Sequence, residues 1–453
     1  MAERRVDPTT MQVVKKAWAS ILSKRQEDPQ TNVIHFTDHE SDTGFLKDVD
    51  ALNALLEPYL LAPTSFVDPP LPLSDLEDHL KTCVQIISAN ATPENSNYRG
   101  FAATPYPYFQ SMIDFVDSAA AFLRLVCNYC QVLRIPGNDR RDKDKETKIE
   151  TLLKNPFTSA IDFLISAHVG DDDGLGVRWE GIARQSDQRG RFASLFFTNV
   201  AAVALAKTLD TSPVSRWIGQ DRREQIEGLL QKVPKWVINQ YNPAAKNFYI
   251  DAARAVAPAV GVVYALEILF ALGDASDEAQ KKCCMESLRE ITLKMKNLSQ
   301  ASALQIDVFH SIPLSGASGV AFYDDRRYIG SFLSVLALAK SKYPDVQDED
   351  FFHAIDILLE GVREEWIDEP TGLWDDGRPL ICYTQDALVG LVTHAVYGQV
   401  DMISMRENEM RIAIQEALRS EDITTVMLSF IKSKSQSPKS LFGDKVRAKE
   451  AGR

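Results

Sequence analysis

Three segments of this chain share one character: TNVAAVALAKTL (Thr198 to Leu209), SFLSVLALAKSK (Ser331 to Lys342) and TQDALVGLVTHA (Thr384 to Ala395). Each opens with a hydroxyl residue and continues as a run of Ala, Leu and Val. A helix that is apolar on nearly every face must be buried on every face, so these segments belong at the centre of a fold. Weaker copies start at Asp48 (DVDALNALLEPY), Ser118 (SAAAFLRLVCNY) and Val262 (VVYALEILFALG), which makes six uses of one element. Their openings recur at intervals of 53 to 80 residues. That is too irregular for a tandem solenoid but suits helix pairs joined by loops of variable length.

Ahead of most copies lies a second helical pattern with a single apolar stripe. Its best case is Phe351, Phe352, Ile355, Leu358, Leu359, Val362 and Trp366, with acidic residues between them. A striped helix needs only one covered side, so it forms an outer layer around the apolar one. Alternation of apolar and polar residues never persists through two neighbouring runs joined by a turn, so no strand pairs are expected. The expected fold is all-α: an (α/α)6 toroid of six helical hairpins over residues 1–400. Two closing helices are expected over 401–432 and a polar tail over 433–453. From Lys432 onward that tail carries Lys432, Lys434, Lys439, Lys445, Arg447, Lys449 and Arg453 against Asp444 and Glu450. Its basic balance on an acidic protein suits an acidic partner.

The 453 residues supply a large core without metal or disulfide staples. Lys and Arg number 50 against 63 Asp and Glu, a net charge of −13, which opposes general binding to nucleic acid or anionic lipid. The opening MAERRVDPTTMQ has no signal-peptide core and no apolar run reaches a bilayer's span, so no membrane span and a cytoplasmic location are expected. The cysteines, Cys83, Cys127, Cys130, Cys283, Cys284 and Cys382, fall mostly within apolar helical patterns and read as reduced thiols. Cys127 and Cys130 share a helix face but lie mid-helix, away from the N-terminal position that activates a thiol.

A loop bearing glycine and an aromatic precedes each inner helix: TGF (Thr43 to Phe45), RGF (Arg99 to Phe101), GLGVRW (Gly174 to Trp179), KNFY (Lys246 to Tyr249), SGVAFYDD (Ser318 to Asp325) and TGLWDDGRP (Thr371 to Pro379). Outer helix, Gly-aromatic-acidic loop, then Thr-x-x-Ala-Leu inner helix resembles the repeats of the terpenoid cyclase and protein prenyltransferase toroids, most closely at Trp366 to Tyr397. Sugar-processing toroids share the six-hairpin pattern. The resemblance implies a ligand pocket at the mouth where the inner helices begin. Phe45, Phe101, Trp179, Phe248, Tyr323 and Trp374 are the candidate wall of that pocket. Helix N-termini around such a mouth favour an anionic ligand group.

Carboxylates cluster in three of these loops: Asp171 to Asp173, Asp324 with Asp325, and Asp375 with Asp376. Converging carboxylates disfavour one another's ionisation, which makes Asp324, Asp325, Asp375 and Asp376 the candidate acids. The Asp-x-Asp-Asp acid of class II terpenoid cyclases is absent. Asp375 or Asp376 and Cys382 sit where the resemblance places two zinc ligands of prenyltransferases. The third is missing, since His394 lies about 18 Å along the same helix from Cys382. No metal and no cofactor are therefore expected. No phosphate-cradling glycine loop occurs, and SGASG (Ser315 to Gly319) follows no strand. A preserved scaffold without its relatives' catalytic signatures points first to a scaffold binding a small-molecule ligand or a protein partner. The alternative is an enzyme acting on an isoprenoid or carbohydrate in the mouth.

Overall fold

In the computed structural model the described residues are 6–27, 34–37, 45–66, 68–91, 99–101, 115–135, 143–170, 174–180, 194–252, 254, 257, 259–274, 276–296, 308–310, 321–323, 328–365, 372–374 and 381–398. The expected closing helices (401–432) and tail (433–453) lie outside them.

The six apolar segments form six helices: α2 (Phe45–Leu61), α4 (Val116–Val132), α6 (Ser194–Asp210), α10 (Val260–Leu272), α12 (Ile329–Lys342) and α14 (Ile381–Thr393). Each packs on the next in chain order, and α14 packs back on α2, so the ring is closed. The outer layer consists of α1 (Pro8–Ser23), α3 (Leu73–Asn90), α5 (Lys143–Ala167), the trio α7 (Val214–Trp217), α8 (Gln220–Leu230) and α9 (Val233–Asn239), α11 (Glu278–Met295), and α13 (Glu349–Glu360). Outer and inner helices alternate along the chain, giving the (α/α)6 toroid. None of the helices is long and apolar enough to cross a membrane, among the described residues.

Local chemistry separates the layers. Three outer helices begin on aspartate caps: Asp7 accepts from the Thr10 N–H at 2.9 Å, Asp277 from the Gln280 N–H at 2.8 Å and Asp348 from the Phe351 N–H at 2.9 Å. Along α13 and the turn that follows it the expected stripe is observed, with Phe351, Ile355, Leu358 and Val362 buried. Inner helices instead pack backbone to backbone where small residues meet. A Cβ on Gly390 of α14 would stand 2.2 Å from the carbonyl oxygen of Gly330 in α12, a contact that only glycine permits.

The two ends of the described chain are stitched together. Arg363, in a π-helical turn following α13 (Gly361–Glu365), bonds the Asp7 carboxylate at 2.8 Å and also the Thr10 hydroxyl. The Trp18 indole donates to the Ala54 carbonyl at 3.2 Å, which fixes α1 against α2.

Strands are present after all, among the described residues as four antiparallel ribbons: β1 (Arg25–Glu27) with β2 (Ile34–Phe36), β3 (His168–Val169) with β4 (Arg178–Trp179), β5 (Tyr241–Asn242) with β6 (Asn247–Phe248), and β7 (Val308–His310) with β8 (Ala321–Tyr323). At two or three residues each, they are too short for alternation to register in the sequence. Each ribbon joins an outer helix to the following inner one.

Candidate functional site

The ribbons explain the aromatic and hydroxyl signatures. Where β4 meets α6, the Trp179 N–H donates to Thr198 Oγ1 at 3.0 Å and its indole donates to the Leu164 carbonyl at 2.7 Å. The last repeat duplicates this: Trp374 N–H to Thr384 Oγ1 at 3.0 Å, and its indole to the Val362 carbonyl at 2.9 Å. In the first repeat Asp48 takes the hydroxyl's place, accepting from the Phe36 N–H at 2.8 Å while its other oxygen meets His35 Nδ1 at 2.8 Å. In these three repeats the opening residue of the inner helix is thus a clasp for the incoming chain. Glycine in these loops serves the same closeness. Gly176 has φ 105°, and a Cβ there would lie 2.6 Å from the Lys232 carbonyl.

Phe45, Phe101, Trp179 and Phe248 are fully buried, and Trp374 is 4% exposed. Large rings at helix starts are drawn into the packing between layers, where Phe101 meets both Phe122 and Phe163. Tyr323 lies in β8. Asp324, Asp325, Asp375, Asp376 and the Asp171 to Asp173 triplet lie outside the described residues. Glu180, buried, pairs with Arg178 at 3.3 Å. Among the described residues, no three His, Cys, Asp or Glu side chains stand close enough to hold a metal ion.

A second set of carboxylates comes from the inner helices themselves. Asp50 of α2, Asp117 of α4, Glu267 of α10 and Asp386 of α14 all come from inner helices, and each is half-buried on an element whose residues are mostly buried. They feel one another. Burial raises the Asp50 carboxyl well above the usual range, Asp117, Asp386 and Glu57 add to the rise, and Arg124 opposes it. Burial and Glu267 push Asp386 up to about 7, with Arg124 and a bond from Ser331 working the other way. Asp117 is pushed up to about 6 by burial, although the Ser118 N–H donates to it at 2.9 Å. Glu267 is also raised by burial, and Asn199 Nδ2 donates to it at 2.5 Å. Tyr264 stands edge-on to Tyr328, centroids 6.3 Å apart, with its hydroxyl raised by burial and by that neighbour.

Seven residues beyond Asp50 on α2, about 10 Å along the helix, stands a contrasting group. Glu57 receives three bonds from Arg124 at 2.7, 2.8 and 3.0 Å, one from Gln385 at 2.9 Å and one from Asn128 at 3.3 Å, with Lys207 3.9 Å away. Burial works against its charge, yet Arg124 and Lys207 hold it down at about 2. This charge-balanced knot ties α2, α4, α6 and α14 together.

None of these residues was a sequence candidate. A signal was available: charged residues such as Glu267 in VVYALEILFALG or Asp386 in TQDALVG interrupt helices that must be buried all round. Buried charge is retained only with partners or a purpose.

No family model and no curated relative matches the chain. Solved structures share its fold. A cellobiose 2-epimerase from Bacillus thermoamylovorans superimposes with a TM-score of 0.53 at 11% identity, over 84% of this chain and 98% of that one. A sugar epimerase from a ruminal bacterium gives 0.53 at 11% identity, over 86% and 99%. A family 76 glycoside hydrolase (mannosidase) from Bacteroides thetaiotaomicron gives 0.51 at 11% identity, over 85% and 98%. At such identities the likeness establishes the toroid. It is a likeness to toroid enzymes in general and is not specific to the terpenoid cyclases or prenyltransferases that the repeats resemble.

Proposed function

We propose that this protein is an enzyme performing acid–base chemistry on a carbohydrate held inside the ring of inner helices. The observation that carries the reading is the convergence of Asp50, Asp117, Glu267 and Asp386 from four inner helices, two of them with pKa values near neutrality. A carboxyl near pKa 7 serves as proton donor or acceptor at neutral pH, which is what glycoside cleavage and sugar epimerisation both require. Asp386 is the leading acid and Asp117 the second. Ser331, Asn199, Tyr264 and Tyr328 supply hydrogen-bonding groups suited to sugar hydroxyls.

Three of the structures that share the fold carry names of sugar-acting enzymes, which supports the same substrate class. An isoprenoid calls for an apolar, aromatic lining, whereas the inner face is rich in carboxylates and the loop aromatics are spent on packing. The enzyme reading is therefore favoured over a binding scaffold, because a scaffold has no use for carboxyls tuned to neutrality.

The test is incubation of the protein with cellobiose, β-1,4-mannobiose and related oligosaccharides, followed by NMR of the products. Turnover is expected to fall at least a hundredfold in Asp386→Asn and to decline above pH 7 as Asp386 loses its proton. Wild-type turnover by Asp386→Asn would remove the acid assignment. Saccharide binding without turnover across the panel would restore the scaffold reading.

A further inference from the structure

Accessibility along α4 is periodic. Every residue from Ser118 to Cys130 is buried except Arg124, and the next half-buried positions are Asp117 and Gln131, seven residues away on either side. A step of seven returns to the same helix face. Because α4 packs on α2 and α6 at its sides and on α5 behind, the open side of its middle turns is the interior of the ring. On α6, Phe196, Val200, Val203 and Lys207 are half-buried at steps of three and four, along one face. Lys207 Nζ donates to Asn128 Oδ1 at 2.5 Å, and one turn before these two residues Val203 and Arg124 stand at about the same depth.

Arg124 is only partly used by the Glu57 knot. Of its five N–H groups, those of Nε and Nη2 are turned onto Glu57, whereas Nη1 has no hydrogen-bond partner among the described residues and the side chain is 28% accessible. The guanidinium is also held rigidly. Asn128, which bonds Glu57, donates to Asn53 Oδ1 at 2.9 Å, Asn53 donates to the Ala121 carbonyl at 3.2 Å, and both asparagines are fully buried. A donor edge fixed in this way costs little further ordering when a ligand reaches it.

We propose that Arg124 is a substrate-binding residue, whose Nη1 donates to hydroxyl oxygens of a neutral sugar lying with its apolar ring face along Val200 and Val203. This rests on the carbohydrate reading above and deepens it. The surroundings select the ligand. Asp50 and Asp386 share the field of Arg124 and oppose an anion beside it, whereas a hydroxyl brings an acceptor oxygen without charge. A pyranose also carries C–H groups on one face, which suits the apolar stripe of α6. Being neutral, it leaves Asp386 the proton that the acid role requires.

The experiment is isothermal titration of the full chain with cellobiose, β-1,4-mannobiose and the monodeoxy analogues of each. In the wild type at least one analogue is expected to bind about tenfold or more weakly than its parent, because a hydrogen bond from a charged donor is lost. In Arg124→Lys, which keeps a cation for Glu57 but has no Nη1, that gap should shrink to less than threefold. The double variant Arg124→Met with Glu57→Gln leaves no stranded charge and should show the same convergence, with folding of both variants checked by circular dichroism. A purely structural role weakens parent and analogue alike. A gap unchanged in the variants, or no analogue weakened in the wild type, would therefore overturn the Arg124 contact and leave the carbohydrate reading standing. Absence of saccharide binding by the wild type would overturn both.

Discussion

Removing Arg124 tests whether the Glu57 knot holds the ring together. In Arg124→Met the carboxylate of Glu57, 8% exposed, loses three bonds and keeps only Gln385, Asn128 and the Lys207 charge at 3.9 Å. Two routes give the size of the effect. Depression of the Glu57 pKa from 4.5 to about 2 corresponds to about 3 kcal/mol at roughly 1.4 kcal/mol per unit. Deleting one partner of a buried pair costs about 3–5 kcal/mol, because the other charge stays behind. Since Lys207 and Gln385 remain, a loss of about 3 kcal/mol at pH 7 is expected. Arg124 also faces Asp50 and Asp386, so its removal pushes their pKa values higher still.

The pH dependence follows from the sign of the shift. A folded pKa below the unfolded one gives stability that is present above about 4.5 and fades as pH falls toward 2. The gap between wild type and Arg124→Met, measured by urea unfolding followed with circular dichroism, should therefore be largest above pH 5 and narrow below 4.5. Adding Glu57→Gln to the variant should recover about 1–2 kcal/mol at pH 7 by removing the stranded charge. A loss below 1 kcal/mol in Arg124→Met, or a gap that is flat with pH, would refute the view that this pair closes the ring.

Asp386→Asn should be more stable than wild type at pH 8, because the folded pKa of about 7 makes ionisation of Asp386 costly as pH rises from about 4 to 7. The gain in melting temperature should vanish below pH 4, even as turnover is lost. Thr198→Val and Thr384→Val each strand a buried tryptophan N–H, at Trp179 and Trp374, and should cost about 1–3 kcal/mol apiece in urea unfolding. Gly390→Val drives a side chain into the Gly330 carbonyl and should lower stability by about 1–3 kcal/mol or more, read as a lower melting temperature.

The toroid was legible because its two helix types bury themselves differently. Helices such as α6 and α10 have no wet face, α13 has one, and only an inner and an outer layer satisfy both patterns. Thr198 and Thr384 were legible as members of a repeat but not as clasps, since the extended segment each one holds is too short to leave any alternation to read. The loop aromatics are ambiguous for a related reason. Glycine, aromatic and acid in one loop describe a pocket rim and a packed corner equally well, and the bonds from the Trp179 and Trp374 indoles to the outer layer leave no trace in the sequence.

The carboxylates were hidden by the feature that revealed the fold. A window dominated by Ala and Leu reads as core, and one charge inside it barely alters the pattern. Yet a helix surrounded by neighbours on all sides can tolerate a charge in one direction only, toward a space that the other inner helices also face. Asp50, Asp117, Glu267 and Asp386 each occupy a separate inner helix, so no single segment discloses the site. Closing the ring from α14 to α2 brings them within electrostatic reach, and the same closure removes the bulk water that would hold their pKa values near 4. Fold and reactivity are in this sense one construction: loosening the ring should both lower stability and return Asp386 to an ordinary, less useful acid.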